Sequence, residues 1–132
     1  MSQYLIGVDV GTSSIKASVV DASTGLTVAS AHSPAEEMTV SAVNPGWAEQ
    51  HPDLWWEHTI KSIKTALTKT SVDAKSVVAI GISYQMHGLV LVDKDHKPLR
   101  PSIIWCDSRA VAIGDKAFKD LEISPLFLKS IL

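Results

Sequence analysis

Asp9 stands inside an apolar run, Leu5-Ile6-Gly7-Val8-Asp9-Val10, and is followed at once by Gly11, Thr12, Ser13 and Ser14. A carboxylate in an otherwise buried strand needs a partner or a task. Gly11 admits backbone angles that other residues avoid. A turn of small hydroxyl residues can aim several N–H and O–H groups at one anion, as a backbone nest does. Asp9 beside it would hold a hydrated divalent cation or its water. A metal-bound phosphate chain suits these residue types in this order, and an ordinary hairpin with a Gly-Thr-Ser turn and a surface aspartate would use them too. Two other phosphate loops are excluded, because neither G-x-x-x-x-G-K-[ST] nor G-x-G-x-x-G occurs.

Two further polar clusters stand out. Gln85-Met86-His87-Gly88 offers an amide, a flexible thioether and an imidazole, a set that suits a small polyhydroxylated ligand. The alternative is a turn histidine beside a core methionine. Asp107 and Arg109 follow Trp105 and could orient a sugar hydroxyl, pair with each other, or leave Asp107 or Ser108 as a helix N-cap. His32, His51, His58 and His96 have no metal-ligand spacing with one another or with Cys106. Cys106 has no activating neighbour and reads as a small core residue. No Gly-x-Ser-x-Gly elbow is present, which sets hydrolase chemistry aside.

The elements that must position these residues follow from periodicity and turn signals. Leu5–Val10 and Ile15–Val20 read as strands joined by the polar turn, and Leu26–Ala31 as a third, making an antiparallel meander. Residues 32–50 lose periodicity around Pro34, Pro45 and Gly46 and read as a long loop. His51-Pro52-Asp53 opens a helix, with Pro52 in the first turn and Asp53 at the positive end of the dipole. Trp56, Ile60, Ile63 and Leu67 share one face of it, and it ends near Lys69–Ser71. Trp55 and Trp56 read as core or interface packing. Val77–Ser83 is apolar on both faces, as in a central strand covered on both sides. Leu89–Val92 and Ser102–Trp105 read as strands. Ala110–Leu121 reads as a helix with Ala110, Ile113, Ala117 and Leu121 along one side. The order β-β-β-α-β-β-β-α predicts an α/β domain, a mixed β-sheet with flanking helices. All three polar clusters fall at strand ends, where open α/β sheets bind ligands. Asp9 is therefore expected to border the pocket shared by Met86 and His87.

The totals narrow the class. With 132 residues and 45% hydrophobic composition, the chain can bury one domain's core. A net charge of -2 with scattered Lys and Arg excludes the basic footprint of a nucleic-acid binder. No apolar run is long enough for a bilayer, and the N-terminus lacks a signal peptide's basic region. A single cysteine allows no internal disulfide and fits a reducing compartment. The expectation is a cytoplasmic protein.

The run from Ile6 to Lys16 resembles the first phosphate motif of the sugar kinase, hsp70 and actin superfamily. Gly46-Trp47-Ala48-Glu49-Gln50-His51-Pro52-Asp53-Leu54-Trp55-Trp56 resembles the loop-to-helix segment of FGGY-type carbohydrate kinases. Gln85-Met86-His87-Gly88 and the run Leu99–Arg109 resemble the xylulokinase branch of that family. The resemblance implies a ribonuclease H-like (actin-like ATPase) domain, the first of a two-domain kinase that phosphorylates D-xylulose at its 5-hydroxyl with ATP and Mg2+. It implies that Asp9 serves the metal and phosphates, that Gly11, Thr12, Ser13 and Ser14 line the phosphate loop, and that Lys16 lies near the transferred phosphoryl group. Met86 and His87 would contact the sugar, with Gln85, Trp105, Asp107 and Arg109 around the pocket.

The likeness runs over residues 1–121. The tail, 122–132, departs from it and is apolar, with Ile123, Leu126, Phe127, Leu128, Ile131 and Leu132. Family members are longer, and their catalytic-base aspartate and adenine-binding domain would lie beyond Leu132. The chain alone is therefore expected to be inactive. The alternative is a non-catalytic sugar-binding remnant, or a homodimer formed through the tail.

Overall fold

Alternation of apolar residues decides the main sheet. In the computed structural model, which describes residues 2–121, Tyr4–Val10 (β1) buries Ile6 and Val8 and turns Leu5, Gly7 and Asp9 outward. Ile15–Asp21 (β2) buries Ile15, Ala17 and Val19. Thr27–Ser33 (β3) buries Ala31 and Ser33. Both pairings are antiparallel, with Val10 opposite Ile15 and Ile15 opposite Ser33. A one-residue slip would send each buried set to the other face. Full burial of side chains such as Ile15 and Val19 contributes about 1.5–3 kcal/mol each.

Glu49–Gln50 (β4) precedes Pro52–Thr68 (α1), which is capped by His51 through its ring nitrogen and the Asp53 N–H. Val77–Tyr84 (β5) then runs parallel to β1, Ser102–Ile103 (β6) pairs with β4, and Val111–Asp120 (α2) follows. The sheet order is β3-β2-β1-β5, beside a two-stranded β4-β6 ladder. The α/β class and the mixed sheet with flanking helices are as expected. The core holds Ile6, Val8, Ile15, Ala17, Val19 and Ala31 of the sheet together with Met38 and Ala66, and Trp55, Ile63 and Leu67 of α1 pack against it.

Several expectations need correction. The element order has a short strand before α1, and Leu89–Val92 is no strand, contributing only the isolated bridges Leu89 to Ile103 and Val92 to Pro98. Residues 32–50 are less bare than a loop, since Ser41 bridges Glu49. Trp56 is 67% exposed; Ile63 and Leu67 of the expected face do pack on the core, but Trp55 takes the inward place given to Trp56, beside the buried Ser62 and Ala66. No residue of α2 is buried, so its Ile113 side faces outward. The N-cap of α2 is Ala110, without a side-chain bond, and neither Asp107 nor Ser108 caps it. Cys106 is exposed.

The largest correction concerns β5. It lies at the edge of the four-stranded sheet. Because α1 lies over β2 and β3 and reaches β1 only at its margin, Val78, Ile80, Ile82 and Tyr84 stay more than half exposed. A strand apolar on both faces needs two covers, and the described residues supply neither. The tail 122–132 lies outside the described residues. No helix among them is long and apolar enough to cross a membrane.

Candidate functional site

Parallel pairing of β1 with β5 brings two of the polar clusters to one place. Val10 stands beside Tyr84, and the Gln85 N–H donates to the Val10 carbonyl at 2.9 Å. The chain then turns through Gly11, where a Cβ would lie 2.9 Å from the Ser14 carbonyl oxygen. Only glycine lets this turn close so tightly.

Thr12 is the hub of the site. Trp105 Nε1 donates to Thr12 Oγ1 at 2.9 Å, and Thr12 Oγ1 donates to Gln85 Oε1 at 2.8 Å. Gln50, 2% exposed, donates through Nε2 to the Thr12 carbonyl at 2.8 Å and accepts from Trp55 Nε1 at 3.1 Å. Residues up to 93 positions apart are thereby held in one network. Beside it lies a hollow of about 270 Å³ lined by Val10, Trp55, Tyr84, Gln85, His87, Gly88 and Val90. His87 takes φ 63, a left-handed conformation uncommon outside glycine, and such positions cluster at binding sites. Met86 does not line the hollow; its side chain and that of Trp105 are largely exposed at the same end of the sheet.

Asp9 faces the other way. It lines an open groove with Gly7, Lys16, Ser18, Gly81 and Ser83, on the sheet face away from α1. Lys16 is its cross-strand partner in register, and Ser83 Oγ donates to Asp9 Oδ1 at 3.3 Å. Asp9 thus lines a different hollow from the one that His87 lines. Alternation is the reason: Asp9 and Val10 are neighbours in one strand, so they point to opposite faces. Lys16 joins the Asp9 groove to the Ser13–Ser14 turn, because it also borders a hollow of about 270 Å³ with Ser13, Ser14 and His32, opposite Glu36 and Glu37.

The third cluster turns inward on itself. Asp107 accepts from the Ala48 N–H at 2.6 Å and from Arg109 Nε and Nη2 at 2.9 and 2.7 Å. Arg109 also donates to Glu49 at 2.6 Å, lies 3.8 Å above the Trp47 ring, and shares Glu49 with Arg100. The Arg109 hydrogen bonds, aided by the Ala48 N–H and opposed by partial burial, hold the Asp107 carboxyl well below the usual carboxylate range. Asp107 and then Glu49 raise the Arg109 guanidinium in return. Asp107 and Arg109 pair with each other, and neither caps α2. The pair clamps the β4-β6 ladder, together with Gly46, which sits at φ 78 and accepts from both the N–H and the hydroxyl of Ser108.

The sequence reading of the site missed Trp47, Glu49, Gln50 and Arg100. Glu49 and Gln50 are adjacent, polar and almost fully buried. A Glu-Gln pair just before the Pro52 helix start was the available signal, because buried groups of this kind are kept only with partners. Among the described residues no three His, Cys, Asp or Glu side chains gather as a metal cluster.

Residues 4–130 match the N-terminal domain of the FGGY family of carbohydrate kinases. A xylulose kinase of Staphylococcus epidermidis is 40% identical over 109 residues, which cover 83% of this chain and 21% of that protein. One from Escherichia coli K12 is 38% identical over 79% of this chain and 20% of its own length. Among solved structures, a gluconate kinase from Lactobacillus acidophilus superposes with a TM-score of 0.80 at 30% identity, covering 91% of this chain and 23% of its own. A ligand-bound xylulose kinase from the same organism gives 0.78 at 30% identity, covering 89% and 23%. The chain spans about a fifth of the length of the curated relatives it matches.

Proposed function

The chain belongs to the FGGY family of carbohydrate kinases, and from that premise we propose that it carries the sugar wall and phosphate turn of an ATP-dependent kinase for D-xylulose. The observation that supports this reading best is the Trp105–Thr12–Gln85 chain of hydrogen bonds, which ties the phosphate-type turn to the polyol-type cluster.

Phosphoryl transfer needs mainly positioning and charge stabilisation. Gly11, Thr12, Ser13 and Ser14 would present N–H and O–H groups to the ATP phosphates, and Lys16 would add positive charge. Magnesium usually keeps several waters and takes one or two carboxylates besides phosphate oxygens. A lone carboxylate such as Asp9, exposed and hydrogen-bonded once by Ser83, fits that demand. When bound, the ion would neutralise charge on the phosphates. Gln85 and His87 would meet sugar hydroxyls in the hollow, and Met86 and Trp105 would offer apolar surface at its rim. Asp107 and Arg109 would act from behind by holding the Trp105 segment against the Glu49-Gln50 strand.

The base that takes the proton from the sugar hydroxyl is not assigned to any residue of this sequence. The 132-residue chain is therefore expected to bind D-xylulose without turning over. The test is calorimetric titration with D-xylulose, gluconate and glycerol, alongside an assay for sugar-dependent ADP release. Binding of D-xylulose in preference to the other two supports the reading. Preference for gluconate or glycerol overturns the substrate, and ADP release overturns the inactivity.

A further inference from the structure

The amide of Gln50 sits only one way round. Its Nε2 donates to the Thr12 carbonyl at 2.8 Å and reaches the Thr39 carbonyl at 3.4 Å, and its Oε1 accepts from the Trp55 indole at 3.1 Å. Backbone carbonyls only accept and an indole N–H only donates, so a flipped amide would break all of these bonds. The peptide that Gln50 grips joins Thr12 to Ser13 and is trans. In a trans peptide the C=O and the N–H point opposite ways. Gln50 is 2% exposed, so holding the Thr12 carbonyl toward it turns the Ser13 N–H away from the interior. The next peptide is held in the same manner. The N–H of Met38, also buried, donates to the Ser13 carbonyl at 2.8 Å, which turns the Ser14 N–H outward too. Among the described residues, none of the N–H groups of Gly11, Thr12, Ser13 and Ser14 has a backbone acceptor. The turn thus gives its carbonyls to the protein and keeps its donors, which is what an anion needs.

Resting on the phosphate-turn reading above, we propose that Gln50 is a positioning residue of that turn, locking the Thr12–Ser13 peptide with its N–H, and not its carbonyl, toward the phosphate chain. Gln50 touches no ligand and acts through the Thr12 carbonyl. Were this peptide to rotate by half a turn, the Thr12 carbonyl oxygen would face the phosphate oxygens and repel them. A donor held in place beforehand needs no reorganisation when the anion arrives. The same side chain ties the turn to α1 through Trp55, so the donor's direction is set by the rigid part of the domain.

The test is a titration of the 132-residue chain, labelled with 15N and 13C, with magnesium pyrophosphate, which carries the phosphate chemistry without sugar or adenine. The wild-type chain is expected to show saturable shifts of the Ser13 and Ser14 N–H resonances. Gln50→Met keeps the length of the side chain and removes both its donor and its acceptor. It is expected to lose the Ser13 shift, to keep the Ser14 shift because Met38 still holds that peptide, and to bind pyrophosphate about tenfold more weakly. Without ligand, its Thr12 carbonyl carbon should move and its Ser13 carbonyl carbon should not. Should the variant not fold, the wild-type chain decides alone: the Gln50 side-chain N–H is expected to exchange slowly with solvent and Ser13 to respond, and fast exchange, or an unmoved Ser13 beside a responding Ser14, overturns the inference. In Gln50→Met, an unchanged Ser13 response and affinity, or loss of the Ser13 and Ser14 responses together, overturns the inference and leaves the phosphate turn in place. No response of either N–H in the wild-type chain overturns the phosphate turn and the inference with it.

Discussion

Two polar clusters near the same end of the sheet, one charged and one neutral, finish with opposite complements of partners. Around Arg109 the charges answer one another: Asp107 and Glu49 are both nearly buried and both receive the guanidinium, and Trp47 covers it. Around Thr12 the hydrogen bonds leave one buried donor, Gln85 Nε2, without a partner among the described residues. The first cluster is complete without a ligand and the second is not. Polar residues at a strand end therefore divide into frame and contact according to what is left over after the protein has satisfied itself.

Arg109→Ala is expected to have the largest effect on stability, since it strips two buried carboxylates of their shared cation. Its urea unfolding midpoint should fall below those of Gln50→Leu, Thr12→Val and Trp56→Ala. Arg109→Lys should recover only part of the loss, because the fork reaching both carboxylates is gone. Gln50→Leu comes next. It unpairs the Thr12 carbonyl and the Trp55 N–H, at about 1–3 kcal/mol, and should loosen the Thr12 cluster as well as the fold. A shift of the Trp55 indole resonance would register that coupling, and an unchanged resonance would separate the two regions. Thr12→Val should cost about 1 kcal/mol in stability and weaken D-xylulose binding, the reverse of the Arg109 pattern. Trp56→Ala, at an exposed position of α1, should fall within about 0.5 kcal/mol of wild type.

Acid sharpens the same contrast. The Asp107 carboxyl titrates lower in the folded chain than in the unfolded one, because Arg109 and the Ala48 N–H hold it ionised. Its contribution is therefore fully present above the ordinary aspartate range and is lost as the pH falls below about 4. Asp107→Asn should unfold with a shallower pH dependence in that window, measured by tryptophan fluorescence.

Much of this was legible in the chain. The Asp9–Ser14 hairpin and the start of α1 at His51-Pro52-Asp53 rest on local rules of turns and helix starts, and they stand where those rules put them. The role of β5 was not legible, because an apolar-on-both-faces pattern states a need for cover without saying what meets it. Trp55 and Trp56 are adjacent, and the period of the helix alone placed the wrong one inward. Glu49, Gln50 and Arg100 were missed because their partners lie 38 to 60 residues away, or across a ladder. The expectation of one pocket for Asp9 and the Met86–His87 turn overlooked a local rule, since neighbouring residues of a strand cannot look the same way.

The position of β5 also has a practical consequence. Its outer side carries a full row of backbone donors and acceptors with no strand paired to them among the described residues, flanked by isoleucine and valine. Such a row is a template on which another polypeptide can lay itself down. Preparations of the chain should cloud with rising concentration, and a lysine introduced by Ile80→Lys should keep them clear.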